Sequence, residues 1–140
     1  MKISILLFLI GISTSFGQNF VNEEKIEQLL TKHKVNISEP ITLNDGELVV
    51  ENKLYGFDGK PNYHNQITID LSEISEIETE YYEKTKIHAL KFISGSDKSI
   101  LETQLNSKDL FKLKSTRINL RHIDSELLAE LINILKSYRK

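Results

Sequence analysis

The sequence predicts an α+β fold: a mainly antiparallel sheet, or a partly open barrel, of five to seven short strands packed by a C-terminal amphipathic helix, with an additional N-terminal helix. Three observations predict it. Segments between Ile41 and His122 alternate apolar and polar residues with the period of two that half-buried strands require. Turn-forming steps such as Asn44-Asp45-Gly46 separate them. After Ser125 the period changes to that of a helix, with Leu127, Leu128, Leu131, Ile132, Leu135 and Tyr138 in one broad stripe.

At the N-terminus, Lys2, an apolar run from Ile3 to Ile12 and the small residues Ser15 and Gly17 follow the pattern of a cleavable secretory signal, residues 1–17. An apolar run of that length falls short of the ~20 helical residues a bilayer crossing takes. Cleavage between Gly17 and Gln18 leaves 123 of the 140 residues, 18–140, as one domain, and nothing in that mature chain approaches membrane-spanning length. The expected location is the periplasm or the medium. The chain has no cysteine, which excludes disulfides, thiol catalysis and thiolate-bound metal.

In chain order, Ile26, Leu29, Leu30 and His33 share one helical face, with Glu23 and Glu24 in the first turn, where acids suit the helix dipole. Residues 41–43 and 47–51 read as a hairpin about Asp45-Gly46. Gly56 to Asn65, with two glycines and a proline, reads as a loop, and Gln66 to Leu71 as a strand. Residues 72–85 fit either a helix or a strand, and Thr79, Tyr81 and Tyr82 favour the strand. Ile87 to Ile93 is apolar on both faces apart from Lys91 and His88, as in a central strand. Ser99 to Leu105 forms its hairpin partner, and one helical turn is expected from Asp109. Thr116 to His122 alternates again, and Asp124 or Ser125 caps the last helix.

The phrase Ile67 to Glu78, a strand followed by a turn whose isoleucine re-enters the core, resembles bacterial pleckstrin-homology-like domains. So does the passage from Arg117 to Tyr138, a strand leading through Asp-Ser into a Leu-rich helix; the resemblance covers about residues 41–140. It implies a binding platform for anionic headgroups or proteins, with no catalytic residues to carry over.

Charge is unevenly spread. Residues 39–83 carry eleven acids and two bases, net −9, whereas residues 84–122 carry nine bases and three acids, net +6. Acidic and basic strands lying side by side would pair these charges. Alternatively, Arg117, Arg121, Lys112, Lys114 and Lys86 form a basic patch for an anionic ligand. Nucleic acid is not expected as the partner of an exported protein of acidic net charge. His33, His64, His88 and His122 lack metal-ligand spacing, and no nucleophile elbow, phosphate-cradling loop or calcium loop is present, so no cofactor, metal or catalytic residue is assigned. The expected function is an exported, non-catalytic binding or interaction module whose partner is a protein or an anionic ligand. The alternatives are a small secreted hydrolase with dispersed residues and an inhibitor or immunity-type protein using the acidic segment 73–83.

Overall fold

The computed structural model describes residues 22–35, 40–95 and 98–139; the expected leader and its cleavage site lie outside the described residues. The fold is α+β, with two antiparallel sheets and a helix at each end of the chain. Helix α1 spans 22–33. Eight strands follow among the described residues: β1 Thr42–Asn44, β2 Glu47–Tyr55, β3 Pro61–Asp70, β4 Ile74–Tyr82, β5 Ile87–Ser94, β6 Ile100–Gln104, β7 Leu110–Leu113 and β8 Ser115–Arg121. Helix α2, Ser125–Lys136, ends the order. The larger sheet runs β1-β2-β3-β6-β7 and the smaller β4-β5-β8.

The two sheets are one meander folded over. Strand β3 passes through a single 3-10 turn, Leu71–Glu73, into β4. Because β3 pairs with β6 and β4 with β5, the run β3-β4 lies antiparallel to the run β5-β6. The run β7-β8 then pairs with β6 and β5 in turn, changing sheets at Lys114. All three runs bend at one level, and hydrogen bonds join the bends. The Gly95 N–H donates to the Glu73 carbonyl at 2.9 Å and the Ser94 N–H to the Lys114 carbonyl at 2.8 Å. The buried Ser94 hydroxyl accepts from the Ser99 N–H at 3.1 Å, and its oxygen lies 2.7 Å from the Ser99 hydroxyl. Asp70 fixes the first bend by accepting from the N–H and hydroxyl of Ser72.

Folding the meander turns its apolar face inward. Leu48, Val50, Ile67, Ile69 and Ile100 of the larger sheet meet Ile77, Leu90, Phe92, Ile118 and Leu120 of the smaller. The helices close the remaining sides with Ile26 and Leu30 of α1 and Leu128, Leu131 and Leu135 of α2. Strand β5 is central in its sheet, with Leu90 and Phe92 buried on the inner face and Lys91 paired with Glu78 on the outer.

Helix α1 also protects the free edge of β1. Glu23, Glu27 and Thr31 recur every four residues on one helical stripe. Their side-chain oxygens accept from the backbone N–H groups of Gly46 (3.1 Å), Leu43 (2.6 Å) and Ile41 (3.0 Å). An edge strand left open would template association with another chain. The β1-β2 turn has Asp45 at φ 50° and Gly46 at φ 79°, the left-handed pair that a two-residue hairpin needs. Tyr138, just after α2, packs over Gly46 and donates to a Glu23 carboxylate oxygen at 3.1 Å.

Three expectations give way. Ser99 to Leu105, expected as the hairpin partner of β5, instead supplies β6 of the larger sheet and pairs with β3 and β7, because the chain bends at Ser94 and Gly95 rather than turning back on β5. The loop expected over 56–65 shrinks, because β2 and β3 pair as far as Tyr55 and Pro61; apolar cross-strand partners such as Leu54 and Tyr63 extend the ladder. The helical turn expected from Asp109 is strand β7, since Leu110–Leu113 completes the larger sheet beside β6. His122 lies past the end of β8 at φ 58° and is exposed. Residues 74–82 form strand β4, following the 3-10 turn, and Asp124 caps α2, accepting from the Leu127 N–H at 2.8 Å.

Ser94→Ala should cost about 1–2 kcal/mol, because it strands a donor in the buried bend; urea unfolding measures it. Burial first, then the nearby Glu23 carboxylate, pushes the Tyr138 hydroxyl above the ordinary tyrosine range. A raised folded-state pKa favours the protonated native form, so its contribution is complete below pH ~10 and declines as pH rises further. Tyr138→Phe should therefore flatten the alkaline limb of stability against pH in denaturant titrations between pH 9 and 11.

Candidate functional site

The larger and smaller sheets part along one seam, where β2 outruns the short β1 and faces the side of β8 turned away from β5. Here the structure has a cleft of about 230 Å³ lined by Lys34, Val35, Val50, Asn52, Leu54, Tyr63, Arg117, Ile118 and Asn119. Strand β2 brings Val50, Asn52 and Leu54 on one face, because alternate residues share a face. Tyr63 is the cross-strand partner of Leu54. Strand β8 supplies the opposite wall, and the segment after α1 closes one end.

That segment is held at both sides. The Val35 N–H donates to the Asn119 carbonyl at 3.0 Å, and Lys34 bridges to Leu120 in antiparallel fashion. The Lys34 side chain runs inward, is buried, and donates to the Glu51 carbonyl of β2 at 2.8 Å. His33 places Nδ1 at 3.1 Å from the Arg121 carbonyl. A lysine thus crosses the seam from β8 to β2.

The floor of the cleft continues into a polar cluster on the inner face of the larger sheet. Asn52 donates to Asn65 Oδ1 at 3.1 Å, and Asn65 donates to the Tyr63 hydroxyl at 2.6 Å and to Glu102. The same Glu102 oxygen, Oε1, accepts from the Tyr63 hydroxyl at 2.9 Å and from Gln104 at 3.1 Å. Asn65 is 2% exposed, so its amide depends on these partners rather than on water. Burial pushes the Tyr63 hydroxyl up, the Glu102 carboxylate adding to the effect and the Gln104 and Asn65 hydrogen bonds opposing it.

The five cations of the expected basic patch are distributed over the molecule. Arg117 lies in the middle of β8 and Arg121 at its end, opposite Ile87 and next to the turn that carries Lys86. Four residues of strand separate Arg117 from Arg121 by about 13 Å. Lys114 sits at the bend and Lys112 on β7 in the other sheet, opposite Leu101. Arg121 and Lys86 therefore share one end of β8, whereas Lys112 and Lys114 lie at the other. Arg117 alone reaches the cleft.

The uneven charge of the sequence resolves into cross-strand pairs on the outer face of the smaller sheet. Glu78 meets Lys91 at 3.6 Å and Glu80 meets Arg117 at 3.6 Å. Tyr82 joins this row, donating to Glu80 at 2.5 Å and accepting from Arg117 at 3.2 Å. The Tyr82 hydroxyl, and after it the Arg117 charge, hold the Glu80 carboxyl below the usual carboxylate range. Among the histidines, His64 contacts Glu51 and His88 stacks on Tyr81 with ring centres 4.6 Å apart. Among the described residues, no three side chains of ligand type converge on a metal-sized site.

Lys34, Asn52 and Asn119 escape the reading of the sequence, and the paired strand that carries Tyr63 to them escapes it because 56–65 reads as loop. One signal was available: Asn52, Asn65 and Glu102 occupy positions of the same parity as buried Val50, Ile67 and Ile100. Polar residues at inward positions of a strand mark a network or a site. No family model matches the chain, and no curated protein or solved structure matches it either. Tyr82→Phe should raise the Glu80 pKa toward the ordinary value, and by more than Arg117→Ala does. Carboxyl-detected NMR titration measures both.

Proposed function

We propose that this protein is an exported, non-catalytic binding module that holds its ligand in the seam between β2 and β8. One observation carries the reading: the cleft gathers the amides of Asn52 and Asn119, the Tyr63 phenol and the cations Lys34 and Arg117 around apolar Val50, Leu54 and Ile118. A concave site with an apolar lining and a few converging polar groups is the arrangement that recognises ligands. The hydroxyl and amides of the floor hold one another in fixed orientations, which lowers the ordering cost of binding.

Export rests on the pattern of residues 1–17 and puts the module in the periplasm or the medium. Among the described residues no helix is long and apolar enough to cross a membrane. Kinship with pleckstrin-homology-like domains belongs to the same proposal. It is supported by the passage of β8 through Asp124 into α2. The partner is a protein or an anionic ligand, since Lys34 and Arg117 flank the cleft.

A thermal-shift panel of peptides, phosphates, anionic lipid headgroups, sugars and peptidoglycan fragments tests the reading. A ligand at 100 times its dissociation constant adds about 2.7 kcal/mol, a rise of about 10 °C for a domain of this size. The double variant Asn52→Leu, Tyr63→Phe should lose that rise while keeping a cooperative melt. A rise that survives in the double variant places the ligand elsewhere and sinks the proposal.

A further inference from the structure

The dipeptide Asp-Gly occurs twice in the chain, at Asp45-Gly46 and at Asp58-Gly59. It is the step at which a polypeptide rearranges most readily without an enzyme. The backbone nitrogen of the following residue attacks the aspartate side-chain carboxyl, and glycine, lacking a Cβ, leaves that nitrogen unhindered. As sequence the two steps are equivalent. The fold separates them.

Gly46 is buried and held on three sides. Its N–H donates to a Glu23 carboxylate oxygen of α1 at 3.1 Å, and its carbonyl accepts from the Leu71 N–H at 2.9 Å. Tyr138 covers it so closely that an added Cβ would lie 3.3 Å from the ring. Bringing the Gly46 nitrogen onto the Asp45 carboxyl rotates the peptide between them and breaks the bond to Glu23. The Leu71 bond and the Tyr138 ring resist the accompanying movement of Gly46. Helix α1 does not yield by itself, because Ile26 and Leu30 are fully buried in the core. Opening at Asp45 is therefore part of a larger unfolding, whose free energy approaches that of the whole domain.

Asp58-Gly59 lies in the β2-β3 turn, where Phe57, Asp58, Gly59 and Lys60 are all exposed. Around the position of a Gly59 Cβ the space is open to 4 Å. The Lys60 N–H donates to Asp58 Oδ1 at 3.0 Å, which folds the carboxyl back over the Asp58-Gly59 peptide, within reach of the nitrogen that attacks. The Gly59 N–H donates to the Gly56 carbonyl at 3.0 Å, a bond contained within the exposed turn. Bonds of that kind open at almost no cost.

We propose that Asp58 is a site of spontaneous isoaspartate formation, and that the fold protects Asp45 from the same reaction. In the first step the Gly59 nitrogen bonds to Asp58 Cγ, and the carboxyl hydroxyl leaves as water with the amide proton. Water then adds to the Asp58 backbone carbonyl of the cyclic imide and breaks its bond to the Gly59 nitrogen. The chain now runs through the former side chain, and the mass is unchanged. The product has one extra backbone atom in the turn and a carboxylate on Asp58 Cα. The pairing of Tyr55 with Pro61, and beside it the Leu54–Tyr63 pair at the rim of the cleft, are the first to loosen. This inference stands independently of what the cleft binds.

The test incubates the folded protein at pH 6 and 37 °C beside two free peptides, acetyl-Gly-Phe-Asp-Gly-Lys-amide and acetyl-Leu-Asn-Asp-Gly-Glu-amide. Peptide mapping with fragmentation that distinguishes the two linkages measures isoaspartate at each site. Asp58 should convert within about tenfold of the rate of its peptide, while Asp45 falls behind its own by roughly a hundredfold or more. Denaturing urea should bring Asp45 level with its peptide and change Asp58 little. Asp58→Glu keeps the charge on the exposed turn but needs a larger, slower-closing ring, and should abolish the signal there. An Asp58 that stays unconverted while its peptide reaches half conversion overturns the inference. So does equal conversion at Asp45 and Asp58 in the folded protein, or an Asp45 rate that urea leaves unchanged.

Discussion

The fold depends on the three strand runs bending at one shared level. A flat meander of β2, β3-β4, β5-β6 and β7-β8 would expose one face of apolar side chains with nothing to cover it. The bends at 71–73, near 95 and at Lys114 fold that face onto itself, so that Ile67 and Ile69 of one half meet Leu90 and Phe92 of the other. A bend interrupts a ladder, and each interrupted N–H must find another acceptor. Gly95 to Glu73, Ser94 to Lys114, Ser99 to Ser94 and Ser72 to Asp70 meet that requirement. Gly95 suits the corner sterically as well, because an added Cβ would lie 3.3 Å from the Ser75 Cβ.

Bending has a second effect, which makes the seam. Two halves of a folded meander end on different strands, β2 on one side and β8 on the other, and these edges need not meet. Helix α1 covers the β1 side with three side-chain acceptors, and residues 34–35 begin to cover β8. Between these covers lies the cleft. Its polar floor stands where the core would otherwise continue: moving along β3 from Ile69 through Ile67 to Asn65 and Tyr63, the inner face changes from hydrocarbon to hydrogen-bonding groups. A buried amide such as that of Asn65 costs more than the apolar residue it replaces unless fully partnered.

The charged outer face of the smaller sheet illustrates a different balance. Glu78 with Lys91 and Glu80 with Arg117 are exposed or half-exposed pairs, each worth little in water. Their main consequence is arrangement. They bind the acid-rich β4 to the base-rich β5 and β8 in one register, and they leave Arg117 oriented along the outer face at the rim of the seam.

Much of this was legible in the chain alone. Period-two alternation located the core half of β3 and β8; the apolar run Ile87–Ile93 located β5; the Asp45-Gly46 turn located β1 and the first half of β2; and the broad stripe of α2 required a sheet to cover it. These are local signals, set by side-chain spacing and backbone preference, and they survive without knowledge of neighbours. What decided the rest was pairing. Tyr55 and Pro61 belong to strands because each has a partner across the hairpin, and Leu110–Leu113 is β7 because β6 lies beside it. The dispersal of Lys86, Lys112, Lys114 and Arg121, and the meeting of Lys34, Asn52, Tyr63 and Arg117, follow from where the bends fall. A bend relocates every residue beyond it, while its own sequence signature is only a serine, a glycine or a single lysine.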